Sequence, residues 1–243
     1  QSFAQVTPKN AYDAGLAFGN FESMLTDVDE TLGETIPDFH NMELRIRQLR
    51  EAVLADVAGR LTEVRPLVDL LESHAETMCR AEVLYREGRL PKRICHCDTK
   101  VNNMLFDEAG GVLCVIDLDT VMPSFIFSDY GDFLRTAANA TREDDPDISH
   151  VSLRWDVVES FTKGYIEGTH HFLLPIEREL LPFAMQLFPY MQCVRFLTDY
   201  INGDTYYKTT YPAHNLDRAR NQYRLFELTL AGQDRLQHFI DTL

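Results

Sequence analysis

Apolar residues recur at helical spacing along most of the chain, and one stretch breaks that rhythm. Near the start, Ala11, Leu16, Phe18 and Leu25 fall on one face of a helix. Thr7 is placed to cap it, and Pro8 suits its first position because an N–H there has no helical partner to lose. Residues 32–40 hold Pro37 and no periodicity, which predicts a connecting loop whose His40 could reach the mouth of a site. Leu44, Leu49 and Val53 predict a helix from about Met42 to Ala58. Another opens at Thr62 and Pro66, turns Leu67, Leu71 and Met78 toward a core, and ends near Gly88. Further on, Trp155, Val158, Phe161 and Tyr165 share a face that Gly168 ends. Two helical segments from about Ile176 are expected to be interrupted or kinked at Pro182 and Pro189. The second stops at Asn202-Gly203, and one last helix is expected from Leu216 to Thr242.

The exception runs from Ile94 to Arg135. Met104 to Phe106 and Val112 to Ile116 are short apolar runs on either side of a turn-forming DEAGG segment, which predicts a β-hairpin. Asp98 and Asn103 then lie on the loop before the first strand, and the second strand returns Asp117 to the same end. Three oxygen-bearing side chains converge from 20 residues of chain. Phosphoryl transfer needs such a set: a carboxylate to orient the attacking hydroxyl, and an amide and a second carboxylate for magnesium. The order His96, Asp98, Asn103, hairpin, Asp117 is that of a kinase catalytic loop, with Cys97 where protein kinases have Arg. Ordinary loop polars flanking a structural hairpin are the competing explanation, and the ordered co-occurrence of all five features favours the catalytic one.

Composition narrows the field. A length of 243 residues fits one large domain or two small ones, and an apolar share of 45% supports a sizeable core. The net charge of −15 argues against a nucleic-acid or anionic-membrane surface. Five cysteines form no secreted framework, and neither a signal peptide nor a membrane-length apolar run occurs. A cytoplasmic chain with reduced thiols is expected. Cys95-His96-Cys97 lacks a second ligand pair at zinc spacing, so His96 is expected to be buried and to brace the loop carrying Asp98. Asp119 is placed beside the site rather than in it, and Arg135 is expected to pair with Asp129 or Asp132. Arg195 and Asp199 stand four apart, the spacing of a helix-surface ion pair. Tyr206 and Tyr207 suit either a sugar ring or the lid of a core.

The segments HCDTKVNNMLF, VIDLDTVMP, SDYGDFLR and RFLTDYINGDTYYK, between His96 and Lys208, resemble the aminoglycoside phosphotransferase and choline kinase group. Within it they are most similar to the N-acetylhexosamine 1-kinases. The resemblance implies an α+β, mainly α-helical C-terminal lobe of a protein-kinase-like fold. Its catalytic loop would be residues 94–106 and its metal strand residues 112–119. It implies Asp98 as base, Asn103 and Asp117 as magnesium ligands, and His96, Asp129 and Asp132 as structural support. Arg195 and Tyr206 become candidates for the sugar pocket, and ATP the co-substrate. Such kinases carry an N-terminal β-lobe with a phosphate-covering loop and a phosphate-binding lysine. The chain has no G-x-G-x-x-G and no P-loop. It therefore reads as the C-terminal lobe alone, which by itself need not turn over, and an uncovered apolar face makes a homodimer a candidate assembly. Three functions stand at this point: a sugar 1-kinase, a kinase of an aminoglycoside or amino alcohol such as choline, and a non-catalytic kinase-like binding module.

Overall fold

A computed structural model describes residues 6–28, 32–108 and 111–243. Helix α1 (Pro8–Met24) begins as its cap requires, with Thr7 Oγ1 accepting from the Asn10 amide at 3.2 Å. It lies along α6 (Trp155–Thr169) with backbone against backbone. A Cβ on Gly15 would press on the Phe161 carbonyl and stand 2.7 Å from the Tyr165 nitrogen, and one on Gly168 would stand 2.8 Å from the Leu16 carbonyl oxygen. Only glycine permits that approach. Beside this pair, α5 (Phe127–Ala137) sends in Phe133, whose ring stacks on Phe161 at 4.0 Å between centroids.

The other layer is built on α8 (Leu181–Ile201), which is apolar almost all round and is buried accordingly. It packs on α2 (Met42–Ala55), α3 (Leu61–Met78), α5 and α9 (His214–Ala231). Four boundaries differ from the sequence reading. Helix α2 stops before Asp56, which takes a left-handed φ of 37° and accepts the Arg60 and Leu61 amides on its carboxylate. The helix expected to run to Gly88 splits at Cys79, and α4 (Arg80–Arg86) completes it. Between α7 (Pro175–Glu179) and α8 the break falls at Leu180. Pro182 then sits in the first turn of α8, and Pro189 lies inside a helix that burial holds together across it. The last helix breaks at Gly232 into α9 and α10 (Gln233–Asp241), and Gly232 lies on the Trp155 ring, where a Cβ would be 2.6 Å from Cη2.

The strands form two antiparallel ribbons. The expected hairpin pairs β2 (Met104–Phe106) with β3 (Val112–Val115), and residues 109–110 of its turn lie outside the described ones. The second ribbon pairs β1 (Arg93–Cys95) with β4 (Met122–Ser124) and has no sequence signal, since Pro123 opposes Ile94 in it. Residues 96–103 connect the two ribbons. Among the described residues no helix is long and apolar enough to cross a membrane. The mainly helical architecture with a few short strands is that of a kinase-like C-terminal lobe.

Candidate active site

The loop after β1 is held from beneath by α5. Asp129, in the first turn of that helix and fully buried, accepts the His96 amide at 2.8 Å and the Cys97 amide at 2.7 Å, one on each carboxylate oxygen. Its carbonyl accepts the Thr99 hydroxyl at 2.7 Å. These bonds fix a sharp turn in which Cys97 takes a left-handed φ of 65°. Burial pushes the Asp129 carboxyl up from its ordinary pKa, while the two amides draw it down. The His96 ring is buried with the edges of Phe18 and Phe21 around it. Its Nε2 is 2.9 Å from the Ile116 carbonyl, and its Nδ1 is 3.3 Å from the Asp98 amide. A neutral ring with the proton on Nε2 satisfies both, donating to the carbonyl and accepting the amide.

Asp98 and Asn103 meet in this frame, and Asp117 follows a peptide that the frame fixes. Asn103 is buried, and its Nδ2 donates to the Asp98 carbonyl at 2.8 Å and to Asp98 Oδ2 at 2.9 Å. Lys100 Nζ lies 2.7 Å from the same carboxylate oxygen. The Asn103 carbonyl accepts the Ile116 amide at 2.9 Å. Ile116 is thus fixed at its nitrogen by Asn103 and at its oxygen by His96, and Asp117 is the next residue. The expected metal strand is shorter than 112–119: β3 ends at Val115, and Asp117 turns out in a left-handed conformation with φ 67°. Aspartate tolerates that region better than most residues. A 3₁₀ turn, Leu118–Thr120, follows and carries the exposed Asp119.

Asp98 opens on a cavity of about 130 Å³ whose walls include His40, Asp132, Arg135, Gln192, Arg195 and Tyr207. Of the two residues expected at a sugar pocket, Arg195 lines this cavity. Tyr206 is 72% exposed and lines an adjoining cavity of about 640 Å³, which Arg45, Arg195 and Tyr207 share. The ion pair expected between Arg195 and Asp199 is not formed. Asp199 is buried and accepts the amides of Thr205, Tyr206 and Tyr207 at 2.8–2.9 Å, with Asn215 Nδ2 at 2.8 Å. It caps the turn that carries Tyr207. Arg195 instead lies over the rings of Phe39 and Tyr207 and donates to Gln192 at 3.2 Å.

Asp132 pairs with Arg135 at 3.0 Å, and Arg135 reaches Glu143 at 2.8 Å. Burial raises the Asp132 pKa, Asp98 adds to that, and Arg135 opposes it. His40 had no sequence signal beyond its place on a loop. Its ring stacks on Phe39 at 4.3 Å, meets Phe188 edge-on, and shares a hydrogen bond with Ser128 Oγ at 2.9 Å. Burial pushes its pKa well below the ordinary value, and Arg195, Arg45 and Arg135 push it further. Three arginines thus bear on this wall, one of them, Arg135, neutralised by Asp132 and Glu143. Lys100 also escaped the sequence reading, although its place two residues after the candidate base was a usable signal.

The sequence model of the phosphotransferase enzyme family matches residues 2–166. Among solved structures, a choline kinase from Cryptosporidium parvum Iowa II superposes with a TM-score of 0.53 at 12% identity, covering 98% of this chain and 72% of that one. An ADP-bound aminoglycoside phosphotransferase, APH(2'')-Ib, aligns with a TM-score of 0.48 at 13% identity, covering 91% of this chain and 67% of that one. At 12% identity the choline kinase likeness speaks for the fold. The family match reaches from α1 through the candidate loop and hairpin into α6, and by it the chain belongs to the phosphotransferase enzyme family.

Proposed function

We propose that the chain carries the catalytic machinery of an ATP- and magnesium-dependent small-molecule kinase whose acceptor is the anomeric hydroxyl of an N-acetylhexosamine such as GlcNAc or GalNAc. The observation that carries this reading is the setting of Asp98, fixed by Asn103 and Lys100 at the edge of a cavity lined by Arg195, Gln192 and Tyr207. In that role Asp98 accepts the proton of the acceptor hydroxyl as its oxygen bonds to the γ-phosphorus and the bond to ADP breaks. Lys100 stands beside the base, where its charge would stabilise the transferring phosphoryl group.

Asn103 and Asp117 fit magnesium. The Asn103 Nδ2 is spent on Asp98, which leaves the amide oxygen for a hard cation, and the Asp117 carboxylate is exposed on a fixed peptide. Magnesium would offset phosphate charge there. Arg195 is the sugar-contacting residue of this reading, with Tyr206 at the rim of the adjoining cavity. The cavity wall mixes Asp132, Arg135, Gln192 and Arg195, hydrogen-bonding groups of both signs that suit a neutral sugar better than a cationic aminoglycoside or amino alcohol. A β-rich lobe is proposed to complete the nucleotide site. The exposed Leu105, Leu113 and Leu118 around the hairpin support it.

The test follows ADP release by the full reading frame with magnesium, ATP and GlcNAc, GalNAc, galactose or choline in parallel. Turnover with the N-acetylhexosamines is expected, and Asp98→Asn should cut kcat by about 10²- to 10⁴-fold. Turnover with choline alone would overturn the acceptor. No turnover with any acceptor would overturn the kinase reading in favour of a binding module.

A further inference from the structure

Beneath the loop that carries Asp98, two buried acids face each other. Glu22 on α1 is 2% exposed, and its Oε2 accepts the Tyr165 hydroxyl at 2.7 Å. Its other oxygen, Oε1, is buried with no hydrogen-bond partner. A carboxylate oxygen of Glu22, a carboxylate oxygen of Asp129 and the Cys95 sulfur lie within 4.8 Å of one another. Arg93 and Lys92 line the solvent side of Glu22, but Arg93 is tied to Glu177 and Lys92 to Glu34. Arg93 still feels the Glu22 charge, but among the described residues neither Glu22 nor Asp129 forms an ion pair of its own.

Two ionised carboxylates at this distance in a buried site repel each other strongly, and the usual resolution is that one keeps its proton. The bonds decide which. Asp129 accepts two backbone amides, an arrangement that favours its charged form. Glu22 accepts a single hydroxyl, and its orphan oxygen is an acceptor with nothing to accept. A proton on that oxygen turns it into a donor and gives it Asp129 as a partner. A metal could take the orphan oxygen, but it would have to share the Asp129 oxygens with two amides and draw a thiolate from Cys95, whose thiol burial pushes well up.

We propose that Glu22 is a protonated positioning residue: its carboxylic acid donates to Asp129 and so locks the turn at His96 and Cys97 that presents Asp98. Burial and the nearby Asp129 charge both push the Glu22 pKa well up, in keeping with this proton. The groups facing Glu22 are Asp129, Tyr165 and Cys95, with the Arg93–Glu177 pair behind them. The consequence for catalysis rests on the kinase reading, whereas the proton itself does not.

The experiment compares the wild type with Glu22→Gln and Glu22→Ala. A glutamine amide keeps an acceptor for Tyr165 and supplies a donor to Asp129. The wild-type minus Glu22→Gln infrared difference spectrum at pH 7 should contain a protonated-carboxyl band, and its absence would overturn the proposal. The folded state holds the Glu22 proton more tightly than the unfolded chain does. Wild-type stability should therefore fall, relative to Glu22→Gln, as pH rises above the ordinary value of 4.5. Parallel urea midpoints from pH 5 to pH 9 would overturn it. So would one equivalent of zinc retained by the wild type, and lost in Glu22→Gln, in native mass spectrometry.

With an active reading frame, Glu22→Ala should lower kcat by about 10- to 100-fold with KM nearly unchanged, and Glu22→Gln should stay near wild type. Loss of activity in both variants to the same degree, or in neither, would overturn the positioning role. If no acceptor turns over, or if Glu22→Ala fails to fold, the infrared and stability measurements on Glu22→Gln still decide.

Discussion

At the scale of single residues, the chain uses buried carboxylates as fasteners, and each answers to its own partners. Asp199 is saturated by three amides and a side-chain N–H, so it holds a turn. Glu82 on α4 has one oxygen on the Met42 amide at 2.6 Å and the other without a partner. Burial pushes its pKa up to about 7, against the pull of that amide. The folded state therefore binds a proton that the unfolded chain has released, and stability falls as pH rises from 4.5 to about 7. Glu82→Gln should gain on the wild type by up to about 3 kcal/mol across that window. Urea denaturation at pH 4.5 and pH 8 checks it, and a constant difference would refute the assignment. At the candidate site, Lys100→Met should reduce kcat by about 10²-fold while leaving the acceptor KM within a few-fold, as initial rates would show.

At the scale of elements, the crossing of α1 and α6 depends on glycine on both sides. Gly15 meets the Phe161 carbonyl and the Tyr165 amide, and Gly164 meets the Tyr12 carbonyl, with no flexible side chain to yield. Gly15→Ala should force the helices apart and cost about 2–3 kcal/mol, measured as a shift in denaturant midpoint at unchanged m-value. Tyr165 and Glu22 lie on these same two helices, so the variant should also disturb the loop above them. The glycine between α9 and α10 has the same logic. Gly232 lets the Trp155 ring lie on the helix, and a side chain there would collide with that ring.

At the scale of the molecule, the chain carries a net charge of −15, while the cavity that Asp98 borders sets Arg135 and Arg195 against Asp98 and Asp132. Self-repulsion of the excess acids opposes the folded state, and salt screens it. The urea midpoint should rise as sodium chloride is raised from 20 to 300 mM, and no change would show that the surface charges are already balanced locally.

The sequence by itself determined what closes over a few neighbouring residues. Thr7 capping α1, the hairpin of β2 and β3, and the order His96, Asp98, Asn103, Asp117 are all local, so residue type and spacing sufficed to read them. Family membership followed from the same stretch. The tertiary structure decided whatever depends on segments far apart in the chain. The extent of α2 turned on the cap that Asp56 supplies to α3, and the demand for glycine at position 232 turned on Trp155. Asp199 looked like a helix-surface partner for Arg195 because spacing cannot report that three amides from the following turn would claim it. Tyr207 rather than Tyr206 lines the cavity beside Asp98 for the same reason, since that turn sets which ring faces inward. Glu22 read as one more polar helix position. Only the packing of α1 against α5 and α6 removed it from water and set it against Asp129, and burial is a property that distant chain confers and spacing does not encode.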